Sequence, residues 1–209
     1  MAQYRKQYLC ICEGQQEKMY LDHVASLVKE FPRKVIKFNT YIDNPHRLTK
    51  TYEDYDSAAL FDYDFNEVEF KRNIKLCDKL NNEQKPAKHK KGRFIHHAYS
   101  NVNFDLWLIL HKEDFNRSVS KNDAYIPDIR RIYGLASNEN IKNEGVMNKI
   151  LNQITLIDVK SAIERADKIK RDKNIEDASI IGSTSLYSDP DFSIHEFLRL
   201  VLKDSGDLK

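Results

Sequence analysis

Gln7-Tyr8-Leu9-Cys10-Ile11-Cys12-Glu13-Gly14 and Ala58-Ala59-Leu60-Phe61-Asp62-Tyr63-Asp64 are two short apolar runs that each end in acid. Runs of this length, closed by charge and glycine, read as buried strands. If the two strands lie parallel and adjacent, Glu13, Asp62 and Asp64 meet at one edge of a sheet. Three carboxylates in one place repel each other unless a cation sits among them. The pattern therefore predicts a divalent-metal site, suited to phosphodiester chemistry.

Working outward, strands and helices alternate. After Gly14, expected to permit a sharp turn, Tyr20, Val24, Leu27, Val28 and Phe31 form one apolar stripe, predicting a helix over 16–31 that Pro32 closes. Val35–Asn39 reads as a second strand, and Asn44-Pro45 opens a short helix to about Glu53. A helix over 67–80 carries Phe70, Ile74 and Cys77 on one side, and a fourth strand covers 94–99. This alternation predicts an α/β fold with a mainly parallel four-stranded sheet and flanking helices. Phe104–His111 is apolar nearly all round and predicts a buried helix. Residues 116–145 are polar, with loops and a short helix. Met147, Ile150, Leu151 and Ile154 mark one later helix, and Val159, Ala162, Ile163, Ala166 and Ile169 another. Ser193 and Glu196 make a capping-box pattern before the last helix, and a strand is expected near 178–181. The expected division is an α/β core over 1–115 and a helical region over 116–209, packed on it as one compact unit.

Bulk properties narrow the class. At 41% hydrophobic and 32% charged residues the chain has a globular balance, which excludes a disordered polymer. A net charge of +2 excludes a global field for nucleic acid, so such a partner must be held locally. Cys10, Cys12 and Cys77 are an odd, sparse set without framework spacing, which suits a reducing compartment and core positions. No apolar run approaches the ~20 residues that cross a bilayer, and Met1–Lys6 holds no signal-peptide apolar region. The expectation is a soluble, cytoplasmic protein with no membrane partner.

In an open α/β sheet, ligands bind outside the carboxyl ends of the strands. Asp62 and Asp64, two apart, project from the same face of an extended segment, and Glu13 lies at the matching point of the first strand. Hard oxygen ligands at this density suit Mg2+ or Mn2+. Such an ion polarises a phosphoryl oxygen, while an unbound carboxylate with a raised pKa serves as general base or acid. The competing account is that Asp62 and Asp64 only cap the next helix and face water.

Ser100-Asn101-Val102-Asn103-Phe104-Asp105-Leu106-Trp107-Leu108-Ile109-Leu110-His111 resembles the signature segment of RloB-like proteins, the AbiL-type phage-defence components. Cys12-Glu13-Gly14 and Asp189-Pro190-Asp191-Phe192-Ser193-Ile194 resemble the same pattern, and Glu-Gly followed by a strand ending in D-x-D is similar to the Toprim fold. The resemblance implies a Toprim-like sheet and a metal-dependent endonuclease acting on DNA or RNA, including tRNA, in abortive infection. It implies that Glu13, Asp62 and Asp64 are metal-binding and catalytic, and that Asn101 and Asp105 are site residues near the same edge. Val102 stands where the family has proline and Asp105 where it has glutamate; the family's second glutamate lies slightly further from the first than Glu17 does. The family is associated with an ATPase, and this chain has no G-x-x-x-x-G-K-[ST] loop. A non-catalytic or conditionally active partner subunit of a defence ATPase is therefore the alternative.

Weaker signals stay two-sided. Asp105 and His111 either complete the site or anchor their helix. Asn101 either binds substrate or caps that helix. His96 and His97 alternate on a strand, so at most one faces the site. Lys88, Lys90, Lys91 and Arg93, in the basic loop 85–93, either sit in solvent or guide a phosphate backbone.

Overall fold

The computed structural model describes residues 4–28, 34–50, 56–83, 94–173, 176, 178–181, 184–187 and 189–208. Four parallel strands make the frame: β1 (Tyr4–Cys12), β2 (Lys34–Ile42), β3 (Ser57–Asp62) and β4 (Ile95–Asn101). A fifth, β7 (Asp191–Phe192), pairs antiparallel with β4 through Ser100↔Phe192 and Asn101↔Asp191. The order is β2-β1-β3-β4-β7. The expected four-stranded sheet thus gains an edge strand from the second half of the chain. Two residues are too short to leave a periodic signal, so only β4 could reveal it.

Side-chain alternation splits the sheet into two faces. Tyr8, Cys10 and Cys12 of β1, with Ala58 and Leu60 of β3, face one core. Leu9, Ile11, Ala59 and Phe61 face the other. The first core is filled by α1 (Gln15–Leu27), α3 (Asp105–Leu110), α4 (Ile126–Tyr133), α5 (Glu144–Leu151), α6 (Leu156–Arg171) and α7 (Ile194–Ser205). The second is closed by α2 (Glu67–Glu83), Leu48 from the 3-10 segment Pro45–Lys50, and a hairpin of β5 (Ser179–Ile181) and β6 (Thr184–Leu186). Tyr8 meets Phe197 of α7 edge-on at 5.4 Å, which ties the first strand to the last helix.

Local chemistry explains several boundaries. Thr155 and Asp158 form a reciprocal capping box at the start of α6. At α7 the expected box is not made: Ser193 gives its hydroxyl to the His97 carbonyl and accepts the Tyr99 N–H, so it joins helix to sheet instead. Asp191 is similarly spent inside the fold, accepting the Tyr99 hydroxyl at 2.8 Å and pairing with Lys170. The structure ends α1 at Leu27, and the expected closing residues Phe31 and Pro32 lie outside the described residues. Ile154 lies beyond the end of α5 although its side chain is buried. No described helix is long and apolar enough to cross a membrane.

Candidate active site

The strand order reverses between β1 and β3, and ligands of open α/β sheets bind at that switch point. Glu13 follows β1 directly and Asp62 ends β3, one on each side of it. Register fixes the meeting: Cys12 pairs with Leu60, so the next residue of β1 reaches the end of β3. The Asp62 N–H donates to Glu13 Oε2 at 2.9 Å. Asp62 Oδ2 accepts the Phe104 N–H at 3.1 Å and so caps the start of α3. Asn103 helps, its Oδ1 accepting the Asp105 N–H at 3.1 Å. Asp62 caps a helix, as the competing account held, though the helix is α3 and not the following α2.

Asp64 arrives by another route than expected. The strand ends at Asp62, and Asp64 and Phe65 adopt left-handed φ of 43° and 56°. The turn is held by the Tyr63 and Asp64 N–H groups, which donate to the Val102 carbonyl at 3.1 and 2.9 Å. The same-face argument from extended geometry therefore fails, yet Asp62, Asp64 and Asp105 line one cavity of about 170 Å³ with Gln16, Asn122 and Lys142.

Glu17 is the residue that sequence reasoning left out of the site. It lies in the first turn of α1, is 6% exposed, and its Oε2 has no hydrogen-bond partner. A Cβ on Gly14 would stand 3.0 Å from that oxygen. Gly14 itself has φ −136°, a backbone that any residue adopts. Its smallness is needed for the approach of the Glu17 carboxylate, not for a turn. A first-turn acid after Glu-Gly was the available signal; its burial was not.

The carboxylates perturb one another. Burial, then repulsion from Glu13 and Asp64, lifts Glu17 to about 7 against the pull of backbone N–H groups. Burial lifts Asp105 to about 7, with Glu17 and Asp64 adding and Lys142 opposing. Burial, followed by Glu17 and Asp64, pushes Asp62 well above the usual carboxylate range. Burial also raises Glu13 and Asp64. Desolvation thus leads and mutual repulsion adds to it.

Other candidates lie elsewhere. His111 is buried on α3's far end, its Nε2 2.9 Å from the Tyr20 hydroxyl and its Nδ1 2.8 Å from the Trp107 carbonyl, and burial lowers it to about 4. It anchors the helix. His96 packs edge-on against Phe94, and His97 lies against Ser193 and Thr184; neither lines the acidic cavity. Asn101 neither caps α3 nor lines that cavity: it opens onto a second cavity across the sheet. Strand parity is the reason, because Asp62 pairs with Ser100 and Asn101 falls on the opposite face. Lys88, Lys90, Lys91 and Arg93 lie outside the described residues.

The donor set is all oxygen, and an unpartnered buried carboxylate oxygen beside four further acids suits a hard dication held by one or two carboxylates and water. Among the described residues, no three His, Cys, Asp or Glu side chains are grouped closely enough to hold an ion by themselves. Neither a curated protein nor a solved structure matches the chain. The family model of RloB-like proteins matches residues 8–189, from β1 through the aspartate just ahead of β7. That match takes in β1, the β3 acids and the α3 segment together, and the chain belongs to the RloB-like protein family.

Proposed function

We propose that this chain is a Toprim-type, metal-dependent nuclease that hydrolyses phosphodiester bonds of DNA or RNA in antiphage defence. The carrying observation is the carboxylate edge at the β1/β3 switch point, where Glu13 and Asp62 meet and the buried Glu17, its Oε2 without a partner, feels the charge of both Glu13 and Asp64. One or two carboxylates among Asp62, Asp64 and Glu13 would hold Mg2+ or Mn2+, with Glu17 the further candidate and water or substrate completing the shell. When bound, the ion supplies charge neutralisation and Lewis acidity at a phosphoryl oxygen. The chain's own residues do the rest. Asp105, raised to about 7, is suited to take the proton of the attacking water as the new P–O bond forms. The departing oxygen leaves with the bond pair and is protonated from solvent. Lys142, on the rim of the cavity, offers the phosphate a positive charge.

A conditionally active partner of a defence ATPase is the second reading. It is favoured by the lack of a three-acid group able to hold an ion among the described residues, since substrate or a partner would then have to complete the site. Incubation with single- and double-stranded DNA, RNA and tRNA, with Mg2+, Mn2+ or a chelator, tests both. Metal-dependent cleavage that falls at least about a hundredfold in Glu13→Gln and Asp62→Asn supports the first. Full activity in those variants overturns the assigned roles, and cleavage only after addition of an ATPase partner supports the second.

A further inference from the structure

Across the sheet from the carboxylates lies a larger cavity of about 420 Å³, lined by Tyr63, Phe65, Phe70, Asn101 and Tyr187 among others. The function proposed above does not use it. Its wall is an aromatic ladder: Tyr63 meets Phe65 at 5.8 Å and Phe70 at 5.4 Å, and Phe70 meets Tyr99 at 5.1 Å. The ladder ends in Phe65, which is 46% exposed. A phenylalanine at φ 56° is a conformational outlier for so bulky a residue, and such strain persists only where surroundings hold it. Here the turn at 63–66 holds it, with the Asn66 N–H donating to the Tyr63 carbonyl at 2.7 Å. The same turn carries Asp64 to the acidic cavity and Phe65 to the aromatic one.

The polar lining comprises Glu67, Lys71, Asn101, Ser179, Tyr187 and Asp189. Asn101 lines the cavity with its Oδ1 enclosed and without a partner, so its amide makes less than its full set of hydrogen bonds here. Tyr187 stands on the wall with the Lys170 ammonium 5.4 Å from its ring centroid. Flat aromatic surface plus one unmet amide suits a flat ligand with a hydrogen-bonding edge. Residues of the segments 62–65 and 101–105 line the two cavities in turn, Asp62, Asp64 and Asn103 one and Tyr63, Phe65 and Asn101 the other, which suits a base joined to a phosphate on the acidic side.

We propose that this cavity takes one unpaired nucleobase of a single-stranded nucleic acid, stacked on Phe65 and read at its edge by Asn101, while the adjoining phosphate lies over Asp62 and Asp64. The assignment rests on the phosphodiesterase reading for the placement of that phosphate. Base–aromatic stacking tolerates any base, so the site selects for unpairedness before sequence.

The test uses the full chain carrying Glu13→Gln, with calcium in place of magnesium so that the phosphate is held without the strand being cut, and short DNA and RNA oligonucleotides containing 2-aminopurine. Binding is expected to quench the fluorophore. Phe65→Leu, which keeps bulk and loses the ring, is expected to weaken binding roughly tenfold and abolish the quench. Phe65→Tyr restores both, and Asn101→Ala weakens binding to base-bearing strands while leaving abasic strands unaffected. Circular-dichroism melts establish that each variant is folded. Unchanged quench and affinity in Phe65→Leu overturn the base site, as does tight binding only of fully paired duplex. Parallel cleavage by the unsubstituted chain with magnesium separates the two ideas. Cleavage with no effect of Phe65→Leu removes the base site alone. A Phe65-dependent quench without cleavage upholds the base site and removes the hydrolase.

Discussion

Glu17→Gln offers the most direct measure of the charge stored at the β1/β3 edge. The substitution keeps shape and removes the ionisable oxygen. In the folded chain Glu17 is displaced from 4.5 to about 7, so ionising it there costs about 3 kcal/mol more than in the unfolded chain. The sign follows from proton linkage. The native state binds more protons than the unfolded state between pH 4.5 and about 7, so stability falls as pH rises through that window and levels off above it. Glutamine escapes the loss. At pH 5 the variant and the parent should unfold within about 1 kcal/mol of each other. At pH 8 the variant should be more stable by up to about 3 kcal/mol, or several degrees in Tm. Magnesium should close the gap at pH 8, because a dication stabilises the ionised parent by mass action and lacks one ligand in the variant. Urea melts at the two pH values, with and without magnesium, read all of this. A Glu17→Gln chain destabilised equally at pH 5 and pH 8 would refute the argument, since the carboxyl would then act through packing alone.

Two further outcomes test other parts of the electrostatic and packing account. Lys142→Met should move the Asp105 carboxyl titration, followed by carbon NMR, above about 7, because the lysine is the charge that opposes its rise; an unmoved or lowered midpoint would show that the ammonium does not reach it. Tyr20→Phe should cost about 1–3 kcal/mol in urea melts by leaving the buried His111 Nε2 without its partner at 2.9 Å, and a change below about 0.3 kcal/mol would mean that this bond does not hold α3 in place.

Much of the frame was legible because it is local. The apolar runs before Glu13 and Asp62 specify strands by their own length and content, and the run at 67–80 announces α2 through its spacing. Their alternation leads to a parallel sheet, and a parallel sheet brings carboxyl ends to one edge. Glu13 beside Asp62 follows from those steps alone. Ser193–Glu196 shows the limit of a local signal. Its pattern is that of a cap, but the nearest unmet groups in space are the His97 carbonyl and the Tyr99 N–H, and the hydroxyl goes there.

By itself the sequence determined the four strands of the frame, that they run parallel, and which two strand ends carry acid. Only the tertiary structure decided the rest of the site. Glu17 is lifted to about 7 because folding buries it and removes its water, and no neighbour in sequence records that desolvation. Asp64 reaches the acidic cavity through a left-handed turn held by Val102, a contact across 38 residues. Asn101 goes to the other face because pairing register, set between strands and not within one, assigns sides by single-residue parity. Strand identity is written in short-range periodicity; burial and sidedness arise from which surfaces meet.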